Sequence, residues 1–402
     1  IGAWLAMAVD DWAEGRPDGD DVQVLNWLLS HGLLQNVSAE GAALAALVEN
    51  YRAAERAVPF PRTVNSMDER AVVPVDYPLN IRGSIHDRGP NVPRRFLQVF
   101  GSQKADGPRD GAGSGRLELA SFLVDPRHAL AARVYVNRLW QWVFGSGLVR
   151  TSNDFGRLGD RPSHPELLDY LAREFIAEGW SSKRMIRRLV ASRTFRQGGR
   201  PTEKAMAADP NNRLLHHAAT RRLEAEAIRD SLLAVSGRLD RTLFGRSINP
   251  HRHAEDSAKR LFSGPVDGNG RRSIYLKVSI MAPSKFLLSF NFPDPKLPTG
   301  RRDVTNVPAQ ALVLLNDPFV VSLADRWAGQ LVSEDHSTPE ARIEQMFVRA
   351  LGRSPRKDES GRWVELARGL SDGGTSRLMA DRAVWKNVAH TLLNTKEFIH
   401  FR

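Results

Sequence analysis

The segment RVYVNRLWQWVFGSGLVRTSNDFG, residues 133–156, sets Asn137 and Arg138 among tryptophans, then breaks into a glycine turn and a polar loop carrying Asp154. An amide and a guanidinium in the middle of an apolar helix are expensive to desolvate, so each calls for a partner or a ligand. Val134, Leu139, Trp142 and Val143 follow helical spacing, which assigns most of the segment, tryptophans included, to a packing face. Asn137, Arg138 and Asp154 remain as polar candidates.

Two further constellations join them. RRLEAEAIRD, 221–230, places Arg222 and Glu226 at i,i+4 and Glu226 and Arg229 at i,i+3, a charged ladder beside the stripe Leu223, Ala227, Ile228, Leu232 and Val235. A carboxylate among arginines has a lowered pKa, so it makes a poor general acid but can hold a substrate hydroxyl. TGRRDVTNVPAQALVLLND, 299–317, sets Arg301, Arg302 and Asp303 ahead of an apolar helix from Pro308. Guanidinium forks beside free helix N–H groups suit a carboxylate or another anion, and an Arg–Asp pair that anchors the loop is the competing reading.

Other clusters are weaker. Ser163-His164-Pro165-Glu166 has the residues for acid–base work, yet Ser163 and Glu166 also fit an S-x-x-E capping box with Pro165 in the first turn, a grammar repeated at Ser337-Thr338-Pro339-Glu340. His251 and His253, with Glu255 and Asp256, have a metal-binding composition without a third ligand at defined spacing; an exposed loop is preferred and no metal is assigned. Residues 182–200 hold seven basic residues and no acidic one after the turn Glu178–Ser181. A helix-turn-helix there would aim Lys183, Arg184, Arg187 and Arg188 at phosphates, while Met185, Ile186, Leu189 and Val190 form the buried face. No P-loop, G-x-G-x-x-G, H-E-x-x-H or G-x-S-x-G motif occurs.

The elements that must position these groups read as mainly α: a multi-helix orthogonal bundle with a small β-containing connector and long irregular loops. Residues 1–58 form a helical N-terminal segment, with Ser38 capping an alanine-rich helix. Six prolines between 59 and 100 forbid long helices, and TVNSM, AVVPV and LNIRGS are strand-like. GSQKADGPRDGAGSG, 101–115, is a flexible loop. From 116 to 402 a main helical domain begins with four helices in RLELASFLVD, HALAARVYVNRLWQWVFG, HPELLDYLAREFIAEG and SKRMIRRLVASRTF. A helix over 221–239 follows, then an irregular insertion near 240–303 with one strand at RSIYLKVS, then five C-terminal helices.

Composition sets outer limits. Of 402 residues, 42% are apolar, ample for one or two cores. The longest apolar runs, such as 42–48, fall short of the roughly 20 residues that cross a bilayer. Zero cysteines exclude disulfides, thiolate chemistry and C-x-x-C-H haem attachment within the chain. A net charge of +11 favours acidic partners. The start, IGAWLAMAVDDW, lacks Met and a basic leader, so a longer product with any export signal upstream is expected.

The ordered motifs NIRGSIHDRGPNVPRRFLQVFG, SGRLELASFLVDPRHALAARVYVNRLWQWVFGSGLVRTSNDFGRLGDRPSHPELLDYLA, RRLEAEAIRDSLLAVSGRLD, RRSIYLKV and FPDPKLPTGRRDVTNVPAQALVLLNDPFV make the chain from about residue 60 onward resemble the planctomycete-type domain of unknown function family 1553. The resemblance implies the C-terminal part of a large exported protein, extracytoplasmic, with a companion domain and often a cytochrome c domain upstream. It implies no cofactor within this chain, with haem c on an upstream domain or partner. It supplies no catalytic residues. The motif positions Arg82, Arg94 and Arg95 stand as candidate anion-binding residues, and His164 and Glu166 as weaker candidates.

The leading expectation is therefore a cytochrome-associated module that oxidises or binds carbohydrate, with one pocket built from Asn137, Arg138, Asp154, Arg222, Glu226, Arg301, Arg302 and Asp303. The alternatives are a non-catalytic scaffold or protein-interaction domain, and polyanion binding through 182–200, with nucleic acid the last-ranked partner after polysaccharide or another anionic ligand.

Overall fold

A computed structural model describes residues 2–16, 18–30, 46, 49–50, 53–54, 57, 73–94, 96–97, 113–128, 130–371 and 378–401. The helix expected after Ser38 lies largely outside the described residues, as do residues 63–72 of the connector, Arg95 and most of the loop 101–115. The described residues form fourteen α-helices and two small two-stranded antiparallel sheets. The protein is mainly helical.

The chain divides into two compact units, Ile1–Asn65 and Ser66–Arg402. In the first, α1 (Gly2–Ala13) packs against α2 (Gly19–Ser30), burying Ala8 and Leu25. Asp18 starts α2 as a reciprocal cap: its carboxylate accepts from the Asp20 and Asp21 amides, and Asp21 accepts from the Asp18 amide.

The second unit opens with a hairpin of β1 (Tyr77–Asn80) and β2 (Arg88–Val92) around a 3-10 turn, in which Arg82 takes a left-handed conformation. LNIRGS thus ends a strand and turns. Then come α3 (Arg116–Leu123), α4 (Ala131–Phe144), α5 (Pro165–Ala177) and α6 (Ser182–Val190), the four helices expected. α4 packs on α5 and α6 around one apolar core of Val136, Leu139, Trp140, Leu168, Phe175 and Met185. Gly145, left-handed, stops α4.

A short helix α7 (Glu203–Ala208) leads to β3 (Arg221–Arg222), which pairs with β4 (His400–Phe401) and returns the C-terminal segment to the start of α8 (Ala225–Val235). The larger core collects α8, α9 (Lys285–Ser289), α10 (Pro308–Asn316), α11 (Pro318–Ser333), α12 (Pro339–Leu351), α13 (Lys357–Gly369) and α14 (Arg382–Leu393). Its centre is the α11–α14 pair. Val320, Leu323, Ala324, Trp327 and Leu331 recur at helical spacing on one, and Val384, Trp385, Val388 and Leu392 on the other, all buried. Asp317 before Pro318 and Asp381 before Arg382 cap these helices with their carboxylates.

Several local expectations are corrected. The helix expected over 221–239 spans only Ala225–Val235, because Arg221 and Arg222 are held in the β3–β4 pair and Glu224 is extended. RSIYLKVS is a 3-10 turn, Ser273–Tyr275, followed by a single bridge between Ile248 and Leu276. The Ser273 amide and hydroxyl both donate to Asp230, at 2.7 Å each, so no strand partner is engaged there. Ser163 is not the cap of α5. Proline disfavours helical geometry in the residue before it, so His164 is pushed out of the helix (φ −137°) and becomes the N-cap residue itself. The same rule makes Thr338, rather than Ser337, the cap of α12, where its hydroxyl accepts from the Ala341 amide. Trp142 and Ile186, read as packing residues, are exposed.

One surface tie has a pH signature. Glu359 at the start of α13 receives both arms of Arg353, at 2.8 and 3.1 Å, and the Arg356 amide at 2.8 Å. The Arg353 guanidinium and these hydrogen bonds hold its carboxyl at about 2, down from an ordinary 4.5. A carboxyl depressed by folding stabilises fully above pH 4.5 and loses that contribution as pH falls toward 2. The expected stake is about 1–2 kcal/mol. Glu359→Gln should therefore lose less stability than the parent chain between pH 5 and about pH 2.5, as read by thermal denaturation; equal losses would contradict this.

Candidate functional site

Asn137 lies in the interior of the second unit and is fully buried. Its amide Nδ2 donates to the carbonyl of Val149 and its Oδ1 accepts from the amide of the same residue, both at 2.9 Å. It clamps the segment after Gly145 back onto α4. Gly147 presses on this clamp so closely that a Cβ there would lie 2.4 Å from the Val149 carbonyl and 2.7 Å from Asn137 Nδ2. Arg138, one residue on, is exposed and lines a separate groove.

Asp154 does not meet either of them. Its carboxylate accepts from the Gly156 amide at 2.8 Å and its carbonyl from Thr151 Oγ1, closing its own loop. The residue that links α4 to the rest of the constellation is Gln141, which the sequence reading passed over. It is buried, its Nε2 donates to the Gly300 carbonyl at 3.0 Å, and its Oε1 accepts from Ser152 Oγ. Its signal was available: Gln141 is i+4 from Asn137, on the same buried stripe. Gly300 sits so near the 151–156 loop that a Cβ would meet Asn153 Oδ1 at 1.8 Å.

Through that contact the 300–305 loop reaches α4, and the same loop reaches β3 and α8. Arg222 donates to the Thr305 carbonyl, to the Phe290 carbonyl at 3.0 Å and to Asn291 Oδ1 at 2.7 Å. Arg302 grips Glu226 with both arms, at 2.5 and 2.9 Å, with Glu224 at 3.4 Å. The Glu226 hydrogen bonds raise the Arg302 pKa. Arg221 donates to the carbonyls of Trp142 and Val143 at the end of α4, at 3.0 and 2.8 Å. Arg222, Glu226 and Arg302 thus share one junction with α4, whereas Asn137, Arg138 and Asp154 serve other places. Arg301 and Asp303 are exposed beside it.

The ladder expected within one helix is corrected by this geometry. Arg222 lies in a strand and Glu226 turns to Arg302. Arg229 is buried and donates to the carbonyls of Arg271 at 2.9 Å and Asp267 at 3.0 Å, where burial lowers its pKa to about 10. It anchors the irregular insertion.

The remaining candidates are accounted for locally. Arg94 pairs with Asp76 at 3.0 Å, which holds that carboxyl below its usual range, and donates to the Gly113 carbonyl. Arg82 is exposed at the hairpin turn, and Arg95 lies outside the described residues. His164 Nδ1 contacts Ser163 Oγ at 3.0 Å, and Glu166 is exposed in the first turn of α5, where a carboxylate complements the helix dipole. His251 lies 3.4 Å from the Gly264 carbonyl, while Glu255 accepts from the Ser263 amide and Asp256 pairs with Lys259. Among the described residues no group of three or more His, Asp or Glu side chains is placed to hold a metal ion. Of the basic residues on α6, Arg188 is bound to Glu174 and Glu178, and Lys183, Arg184 and Arg187 are exposed.

Residues 115–367, more than half of the chain, match the family PSD1, protein of unknown function (DUF1553). The chain belongs to this family. The match runs from α3 to α13 and so contains the whole PSD1 junction, from Gln141 to Arg302. No curated protein and no solved structure matches the chain. No described helix is long and apolar enough to cross a membrane.

Proposed function

We propose that this PSD1 domain is a non-catalytic binding module, an extracytoplasmic part of a larger cytochrome-associated protein. The observation that carries the reading is how the charged residues at the junction are engaged. Glu226 is gripped by both arms of Arg302, and Arg222 is engaged by two carbonyls and an amide oxygen. A carboxylate bound in this way is poorly placed to take a proton, and a guanidinium so engaged has few donors left for a substrate. The junction is then a tie that fixes the 300–305 loop between α4 and α8.

The compartment and the haem-bearing neighbour rest on the family resemblance. Without cysteine the chain offers no covalent c-type attachment, so haem c belongs to an upstream domain or partner. The competing reading, carbohydrate oxidation or binding at the junction, makes a different prediction. Neutral and sulfated oligosaccharides offered with a soluble electron acceptor should give no acceptor reduction, and calorimetry should give no heat that Arg301→Ala with Arg302→Ala abolishes. Turnover of any sugar would overturn the non-catalytic reading, and sugar binding that the double variant abolishes would overturn the reading of the junction as a tie.

A further inference from the structure

A small pocket of about 60 Å³ opens where the end of α4, the start of α5 and the loop after α7 meet. Its polar lining comes from three chain segments: the glycine turn 146–150, Ser163, and residues 211–213. The Ser163 amide donates to the Leu148 carbonyl at 2.9 Å, which ties the first two together. Trp140, Leu148 and Leu215 form an apolar wall continuous with the core of α4, α5 and α6.

Arg150 and Arg213 both line the pocket, and among the described residues neither guanidinium has a hydrogen bond or an ion pair. No lining residue is acidic. The acid of the neighbouring loop, Asp209, is nearly buried and accepts from the Leu214 amide at 2.7 Å, so Arg213 acts on it only at longer range. The turn adds further donors. Gly147 and Leu148 are buried, yet the amides of Ser146, Gly147 and Leu148 donate to no acceptor among the described residues. Buried amides are nearly always paired, and successive unspent ones form the concave nests that hold anions. On the opposite wall Asn212 and Leu215 are held in left-handed backbone, φ 49° and 57°, and the Asn212 carboxamide fastens that bend to the backbone of His217. Side-chain-bearing residues held this way cluster at ligand clamps.

We propose that this pocket binds a tetrahedral oxyanion of the phosphate or sulfate type between Arg150 and Arg213, with the turn amides and the Asn211 and Ser163 side chains as further donors. Donors from three separate segments suit an anion with four oxygens better than a carboxylate with two. A volume of about 60 Å³ holds roughly four to six water-sized spheres, enough for such a group and too little for a sugar ring or an aromatic base. The apolar wall lowers the local dielectric and strengthens each charged contact. Gln141, Arg222, Glu226 and Arg302 do not line the pocket, so the site stands whether or not their junction is catalytic.

The probes are inorganic phosphate, inorganic sulfate, methyl phosphate and acetate, titrated into the full chain by calorimetry and thermal shift at constant ionic strength set with sodium chloride. Phosphate or sulfate should bind saturably at one site per chain and raise Tm, and acetate should bind about tenfold more weakly. Arg150→Gln and Arg213→Gln replace exposed side chains without partners, so both variants should keep the parent circular dichroism, and each should weaken the anion about tenfold or more. Arg326→Gln with Lys357→Gln, exposed positions on α11 and α13, removes as much charge as the two arginine variants together and should leave binding unchanged. Methyl phosphate as tight as phosphate assigns the site to a group carried on a larger ligand, and methyl phosphate much weaker assigns it to the free ion. No saturable binding of phosphate or sulfate, acetate binding equally well, binding indifferent to both arginine variants, or an equal loss in the α11–α13 control would overturn the proposal.

Discussion

Asn137→Leu is expected to lower stability by about 2–5 kcal/mol, the largest effect of any single polar substitution argued above. The amide serves one residue twice, and without it both the amide and the carbonyl of Val149 are left buried and unpaired. Each such group costs about 1–3 kcal/mol. Leucine keeps the branched shape of asparagine but can neither donate nor accept, so packing does not restore the two lost bonds. Gly147→Ala should approach the same cost by a different route, since its Cβ would collide with the Val149 carbonyl and the Asn137 amide together. Denaturant unfolding measures both. A loss below about 1 kcal/mol for Asn137→Leu would mean that Asn137 is not the clamp of the 145–149 turn.

Arg302→Ala is the second large effect, expected at about 2 kcal/mol. It removes a two-armed bond and leaves the half-buried Glu226 facing Glu224 without a cation between them. The 300–305 loop should loosen without detaching, because Gln141 still holds Gly300 and Arg222 still holds Thr305. Hydrogen exchange should therefore speed up for the amides of 301–304 and change little in α11. Uniform acceleration across the larger core would contradict a local tie.

These two residues also mark what the sequence could reveal. Helices α4 to α6 and α10 to α14 were legible because each combines 3.6-residue apolar spacing with local punctuation, such as Pro318, Pro339 or Gly352. Asn137 was legible as an anomaly, though its partner, twelve residues on, was not. The insertion from 240 to 303 resisted reading because guanidinium groups hold it across long separations: Arg271 to the Thr242 carbonyl, Arg252 to the Ala282 carbonyl, Arg229 to the Arg271 carbonyl. No local pattern announces such bonds. Arg222, Glu226 and Arg302 stood out in the sequence as charged residues beside apolar stripes, but the i,i+4 spacing of the first two pointed to a helical pair, and the strand at Arg222 broke it. The exposed stripe of α4 was misjudged for a related reason. Trp140 and Trp142 are two residues apart on a helix, so one is buried and the other must point elsewhere.

The most direct test of the central claim, that the charged junction is a structural tie, is a double-mutant cycle on Arg302 and Glu226 measured by denaturant unfolding. The account predicts that Arg302→Ala and Glu226→Gln each destabilise and that the pair is coupled by about 1–2 kcal/mol. Carboxylates kept for chemistry are commonly held at the expense of stability, and replacing them stabilises the fold. A coupling near zero, together with a Glu226→Gln variant about 1 kcal/mol more stable than the parent chain, would contradict the account and mark Glu226 as a functional group.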